Sequence, residues 1–190
     1  MKIRLYMTIQ STQTLGPFNR YGIWVQGCNK KCLGCISVDS QPLDGGYETD
    51  VDRLAKDILM SSNIEGITIS GGEPFLQSKP LIHLIELLKK EKDIGIIVYT
   101  GMLYEEISEE ELTKYCDVII DGEYVEAMND GMSLRGSSNQ NVIMLTERYV
   151  SSVDQYGAKG RKIELHFLND RVTMVGIPDK NSKEIFKGDG

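Results

Sequence analysis

The chain has 190 residues, with 21 Lys plus Arg against 28 Asp plus Glu, a formal charge of -7; charged residues make up 26% and the hydrophobic set 41%. That is enough apolar material for one compact domain with its own core, and the acidic balance argues against nucleic acid or a membrane surface as partner, since either needs a basic footprint. No apolar run approaches the ~18 residues that cross a bilayer, and Met1-Lys2-Ile3-Arg4-Leu5 lacks the apolar stretch and cleavage site of a signal peptide, so a cytoplasmic protein is expected.

Neither a repeat nor a Pro/Gly/Ser-rich linker divides the chain, which is therefore expected to form one domain over residues 1–190, with a core at about 15–145 and a C-terminal extension at about 146–190. Gly16-Pro17 reads as a turn, with a place near a docking partner as the alternative. Residues 22–26 are short, β-branched and aromatic, and they run straight into Gly27-Cys28, as a strand carrying the cysteine loop on its end would. Val51, Leu54, Ala55, Ile58 and Leu59 follow helical spacing behind Asp50, a suitable N-cap. Residues 66–70 predict a buried strand, followed by Gly71-Gly72-Glu73-Pro74 and a helix over about 80–92, with Ser78 as its cap and Pro80 in its first turn. The unit then recurs: a strand over 94–99 ending at Thr100-Gly101, a helix over about 104–115, and a strand over 117–120 ending at Asp121-Gly122.

Strands alternating with helices predict a parallel sheet. In such a sheet every strand ends at the same edge, so the cysteine loop, Ser70 to Pro74, Thr100-Gly101 and Asp121-Gly122 are expected to converge there, and that edge is the expected active site. Residues 123–141 form a long polar loop of the functional or disordered kind. Residues 141–145 suggest another strand, residues 161–168 and 171–177 flank Asn169-Asp170 as a β-hairpin, and the remainder from Asp179 reads as a short or frayed tail. The residues of the hairpin carry no chemical reading of their own.

Of four cysteines, Cys28, Cys32 and Cys35 fall within eight positions and Cys116 lies far away, a spacing that reads as metal ligation rather than two disulfides. Cys28-Asn29-Lys30-Lys31-Cys32-Leu33-Gly34-Cys35 is C-x3-C-x2-C. Structural zinc wants four protein ligands in a closed tetrahedron, whereas three thiolates on a four-iron cluster leave one iron open to another molecule. Both readings stand on the spacing alone, with Cys116, His83 or His166 as the fourth zinc ligand. Ser70-Gly71-Gly72-Glu73-Pro74 offers two residues without Cβ, whose backbone can approach a ligand closely, beside one carboxylate that suits an amino acid's ammonium group. Alone it is equally a tight strand-to-helix turn with a capping Glu.

Together, the C-x3-C-x2-C loop and the Gly-Gly-Glu-Pro some forty residues later resemble the radical S-adenosylmethionine (SAM) superfamily. Within it, Trp24-Val25-Gln26-Gly27-Cys28, the Leu33-Gly34-Cys35 ending, Tyr99-Thr100-Gly101, residues 117–122 and Leu134-Arg135-Gly136-Ser137-Ser138-Asn139-Gln140 are similar to the activating enzymes of anaerobic ribonucleotide reductase and other glycyl-radical enzymes. The resemblance covers about residues 15–145. It implies an α/β fold, a partial (β/α) barrel of radical SAM type, here with a C-terminal β-hairpin extension. It also implies a [4Fe-4S] cluster on Cys28, Cys32 and Cys35, with SAM chelating the open iron.

Carried over by position, Gly34 and Ile36 would line the adenine side of SAM, the Ser70-Gly71-Gly72-Glu73 loop would receive its methionine ammonium, and Thr100 and Asp121 would contact SAM or its ribose. Many superfamily members carry an aromatic residue before the third cysteine; Gly34 departs from that pattern and matches the reductase activases. The implied activity is oxidoreductase chemistry. Reduced flavodoxin or ferredoxin supplies an electron to the cluster, SAM is cleaved to methionine and a 5'-deoxyadenosyl radical, and that radical abstracts hydrogen from a glycine of the partner enzyme. No conventional acid/base pair is implied, because the cofactor carries the difficult step.

Other residues have plainer readings. Cys116 suits a small core position, and His83 and His166 sit in predicted helix and strand without the context of a catalytic base. Glu105, Glu106, Glu109, Glu110 and Glu111 suit a solvated helix face, with a donor-docking face as the alternative. Arg135 divides evenly between contacting a partner or ordering its loop over SAM, and satisfying loop carbonyls. Two other functions remain beside the activase: a radical SAM enzyme acting on a small molecule or peptide, and a non-enzymatic zinc- or cluster-binding module.

Overall fold

The computed structural model describes residues 1–132, 134–153, 161–168 and 171–178. It is a mixed α/β fold: a seven-stranded sheet in the order β3-β1-β2-β4-β5-β6-β7, and a separate two-stranded hairpin β8-β9. The strands are β1 (Lys2–Thr12), β2 (Arg20–Val25), β3 (Tyr47–Asp50), β4 (Gly66–Gly71), β5 (Gly95–Tyr99), β6 (Val118–Asp121), β7 (Asn141–Met144), β8 (Ile163–Leu168) and β9 (Arg171–Gly176). At the centre β2, β4, β5 and β6 pair in parallel. The antiparallel pairs β1/β2, β1/β3 and β6/β7 flank them. Among the described residues the sheet is open, with β3 and β7 at its edges, and no helix is long and apolar enough to cross a membrane.

Alternation along the central strands divides the apolar residues between two faces. Tyr21, Ile23, Val25, Ile67, Ile69, Ile96, Val98 and Ile119 face one layer, where α1 (Val51–Met60) contributes Val51, Leu54, Ala55 and Ile58 and α2 (Ser78–Glu91) contributes Leu81, Leu84, Ile85 and Leu88. On the opposite face Ile97, Val118 and Ile120 pack with Tyr149, and Trp24 packs with Ile9, Leu15 and Val175. The hairpin therefore covers part of the second face, which has no long helix among the described residues.

Asp50 caps α1, its carboxylate accepting from the Asp52 amide at 3.0 Å. Ser78 does not cap α2. Gln77 holds that position without a side-chain bond to the helix, and Ser78 is the first helical residue, its hydroxyl donating to the Phe75 carbonyl. The helix expected over 104–115 is also replaced: α3 is one turn, Tyr104–Ile107, followed by a 3-10 segment at Glu111–Tyr115. The run of glutamates provides only two buried apolar side chains, Ile107 and Leu112, to hold a longer helix on the sheet. Strands β1 and β3 were absent from the expected order, although Lys2-Ile3-Arg4-Leu5 alternates polar and apolar residues, and Ile3 and Leu5 are buried. Within the 123–141 loop a 3-10 turn forms at Glu126–Met128. The hairpin strands are present; the Asn169-Asp170 turn and the tail from Asp179 lie outside the described residues.

Candidate cluster and cofactor site

Because β2, β4, β5 and β6 run parallel, their C-terminal ends share one edge of the sheet, and a cavity of about 360 Å3 opens there. That volume suits a small-molecule ligand, for which sites of roughly 300–1,000 Å3 are usual. Its lining includes Cys28, Cys32, Cys35 and Ile36 after β2, Ser70 and Gly71 at the end of β4 with Gly72 and Glu73 after it, Thr100 and Gly101 after β5, and Gly122 after β6.

The cysteine loop is held against the glycine loop by backbone bonds. The Gly72 amide donates to the Val25 carbonyl and the Glu73 amide to the Gly27 carbonyl, each at 2.8 Å. A Cβ on Gly72 would lie 2.1 Å from the Gly27 oxygen, so only glycine permits this approach. From the other side, the Gly27 and Cys28 amides bond to the carbonyls of Ser40 and Gln41, which close the cysteine loop. Gln77 ties β1 to this junction: its amide group donates to the carbonyls of Arg4 and Gln26 and accepts from the Arg4 amide.

The loop after β6 wraps the outside of the cysteines. Lys30 pairs with Glu123 at 3.2 Å, the Tyr124 backbone donates to the Cys32 thiol, and the Glu126 carboxylate lies 2.6 Å from where a Cβ on Gly34 would be. Gly34 is also at φ +72°, a left-handed conformation that glycine adopts without strain. That conformation accounts for a glycine before the third cysteine, whereas the exposed Glu126 carboxylate could swing aside. Burial pushes the thiols of Cys28 and Cys32 up, opposed by backbone N–H donors from Lys30 and Tyr124 respectively.

Glu73 is 1% exposed and fully engaged. One carboxylate oxygen accepts from the Thr100 hydroxyl at 2.7 Å and the Phe75 amide at 3.2 Å, and the other from the Gly101 amide at 2.9 Å. Burial raises its carboxyl above the usual range, while these donors and the Lys30 charge pull the other way. The strand-end loops of β4 and β5 thus meet through one buried carboxylate.

Several residues singled out in the sequence occupy other places. Asp121 is buried outside the cavity lining; its carboxylate accepts from the amides of Tyr104 and Asn141 and from the Asn141 side chain. Gly34 is not a lining residue, whereas Ile36 is. Arg135 pairs with Asp130 at 2.6 Å. The surrounding 134–140 segment is organised by Gln140, which accepts from the Gly136 and Ser137 amides and donates to the Gly122 carbonyl.

Conversely, Tyr6 and Met7 of β1 and five residues of the C-terminal hairpin, Val172, Thr173, Met174, Gly176 and Ile177, line the cavity without having been singled out. The β1 alternation was a usable signal. The hairpin's placement left no local signal, because it depends on packing between Val175 and the Ile9, Leu15 and Trp24 cluster.

The donor set can be tested against the two metal readings. Among the described residues no three His, Cys, Asp or Glu side chains converge closely enough to hold one metal ion. Cys116 is buried in the core with its thiol donating to the Leu112 carbonyl, His166 bonds Glu164, and neither they nor His83 line the cavity. Among the described residues, none of Cys116, His83 and His166 is placed to be the fourth ligand of a closed zinc site. Three half-buried thiols on one loop, facing a cavity, fit a cluster, whose irons spread their ligands farther apart than a single ion does.

Comparisons with known proteins agree with this chemistry. A family described as a 4Fe-4S single cluster domain matches residues 14–143. The anaerobic ribonucleoside-triphosphate reductase-activating protein of Enterobacteria phage T4 is 35% identical over 135 residues, covering 67% of this chain and 85% of that protein. Its namesake from Vibrio cholerae is 30% identical over 142 residues, covering 69% and 91%. A pyruvate formate-lyase-activating enzyme from Clostridium pasteurianum is 32% identical over 110 residues, covering 55% of this chain and 45% of that protein. With cysteine and glycine loops stapled at one sheet edge and a match spanning most of the sheet, the chain belongs to the 4Fe-4S single cluster family, in the radical SAM activase subgroup.

Proposed function

We propose that this protein is a radical SAM activase that installs a glycyl radical on a partner enzyme, most similar to the anaerobic ribonucleotide reductase system. The observation that carries the reading is the union of Cys28, Cys32 and Cys35 with the Gly71-Gly72-Glu73 loop in one cavity, fixed by the Gly72–Gly27 approach. The three thiolates would hold a [4Fe-4S] cluster with one iron open, and the cluster with SAM would supply reductive C–S cleavage to a 5'-deoxyadenosyl radical.

The chain's own residues supply position and exclusion of water. Glu73, already held by Thr100 and Gly101, would receive the methionine ammonium beside Gly71 and Gly72, with Ser70 at the same strand end; Ile36 is on the cavity wall for the adenine, with Gly34 shaping its loop. Thr100 acts through its bond to Glu73, and Asp121 orders the β6 end. In this reading the mostly parallel sheet serves as the partial barrel of the subgroup, within one domain whose core spans about 15–145 and whose extension follows it; the parallel pairing of β2, β4, β5 and β6 supports it. A reduced flavodoxin or ferredoxin in the cytoplasm is the proposed electron source.

Anaerobic reconstitution with iron, sulfide, SAM and reductant is expected to give [4Fe-4S] absorption and 5'-deoxyadenosine, and Cys32→Ala to abolish both. A competent Cys32→Ala variant overturns the assignment, and zinc without iron after anaerobic purification would identify a binding module instead. Electron paramagnetic resonance of an anaerobic reductase after incubation separates a protein target, which shows a glycyl doublet, from a small-molecule one.

A further inference from the structure

The β8-β9 hairpin lies beyond residues 14–143, the part of the chain matched by the family, yet it walls the cavity. Its seating is specific. On the inner face Val175 is fully buried against Ile9, Leu15 and Trp24, and Glu164 accepts from the Gln13 amide at 2.9 Å. At its base, the Arg161 guanidinium donates to Asn129 Oδ1 at 2.7 Å and to the carbonyls of Met132 and Arg135, latching the hairpin to the loop after β6.

Val172, Thr173 and Met174 are consecutive and all line the cavity. Successive strand residues point to opposite faces, so a strand presenting three in a row turns its edge toward the space. Among the described residues β9 pairs only with β8, which leaves that edge without a strand neighbour. The register places Leu165 opposite Met174 and Phe167 opposite Val172, so these four share the outer face. Leu165, Phe167 and Val172 are exposed, Phe167 at 78%, and the row contains no charge although the chain as a whole is acidic.

We infer that the β9 edge and this uncharged outer row form the track on which an extended segment of the protein partner docks, by strand addition, so that its glycine is delivered into the cavity. The inference rests on the activase reading above. The occupant is argued from continuity: an open strand edge and an apolar row run from the cavity wall to the surface, and an extended, neutral, glycine-bearing segment complements both. A free amino acid or nucleotide would use neither the edge nor the outer row.

The test uses the reconstituted holo-protein with SAM and a chemical reductant, and the anaerobic ribonucleotide reductase of the same organism as the protein probe. Leu165→Glu and Phe167→Glu alter exposed side chains outside the cavity lining. Each is expected to lower the rate of glycyl-radical formation at least about tenfold while leaving partner-independent 5'-deoxyadenosine production unchanged, and Phe167→Leu to retain activation. Variants that activate the reductase as wild type does overturn the inference. So does loss of partner-independent cleavage, which would make the hairpin part of SAM binding, or conversion of a dimer to a monomer, which would make the occupant a second copy of this chain. Failure of the wild type to make 5'-deoxyadenosine at all is a different result, and it defeats the activase reading itself.

Discussion

At the start of the parallel strands Arg20 is fully buried and its guanidinium is saturated, whereas at their far end three thiols stand half-buried along a cavity. Arg20 donates to the Ile67 and Gly95 carbonyls, to Thr68 and Tyr149, and pairs with Glu65 at 3.1 Å. Arg148 extends the group through Glu65 and Asp93, and the Tyr149 hydroxyl bonds Glu65. The difference is one of purpose within one sheet. A polar network whose members are all paired fixes how strands and the 3-10 turn at Glu147–Tyr149 pack, while the opposite edge keeps thiols and glycine backbone facing space that a ligand can enter. At that edge the engaged carboxylate is Glu73, which joins the strand-end loops of β4 and β5.

The largest effect expected in either region is the loss of cluster absorption in Cys32→Ala, which should leave the fold intact because the thiols are not part of the core. Next, Arg20→Met strips partners from Glu65, Gly95 and Ile67; removing one member of a buried pair costs about 3 kcal/mol here, at the low end of the range because Glu65 retains Arg148 and some solvent. A denaturant titration measures it, and the folded variant should still take up its cluster. Destabilisation together with lost cluster binding would show that the two ends are not separate.

A smaller effect is expected from Gly72→Ala, whose Cβ would meet the Gly27 oxygen at 2.1 Å and must push the cysteine and glycine loops apart. A cost of about 1–3 kcal/mol should appear as weaker SAM binding with iron content retained. Equal SAM affinity in this variant would dissolve the stapled-loop account.

The smallest is a pH effect at Glu73. Its folded-state carboxyl is raised, chiefly by burial, so the native chain holds that proton more tightly than the unfolded one. Stability from this group is then complete below the ordinary carboxyl range and is lost as pH rises through the raised value. Glu73→Gln, which has nothing to ionise, should have a flatter stability profile over that window. Parallel profiles for the two proteins would mean that the three donors to Glu73 offset its burial.

Much of the site was legible because its chemistry is carried by short motifs on strand ends. Once the alternation of strands and helices is read, a parallel sheet requires those ends to meet, and Cys28, Cys32, Cys35, Gly71, Gly72, Glu73 and Thr100 do meet. Asp121 reads identically in sequence but turns its carboxylate to Tyr104 and Asn141, a choice made by β7 pairing beside it. The 104–115 helix failed for a related reason. Its glutamates favour a helix locally, but too few apolar side chains remain to pack one on the sheet, and tertiary contact outweighs propensity.

The sequence by itself determined the order of the four parallel strands and of α1 and α2, and that the cysteine and glycine loops share one sheet edge, since period and spacing are local properties. Only the tertiary structure decided that β1 borders the cavity, that Arg20 closes the opposite end, and that the hairpin from beyond the family match forms a wall of the site. Those outcomes depend on which distant surfaces bury each other, as Val175 does with Ile9, Leu15 and Trp24, and no local pattern encodes the partner of a buried side chain.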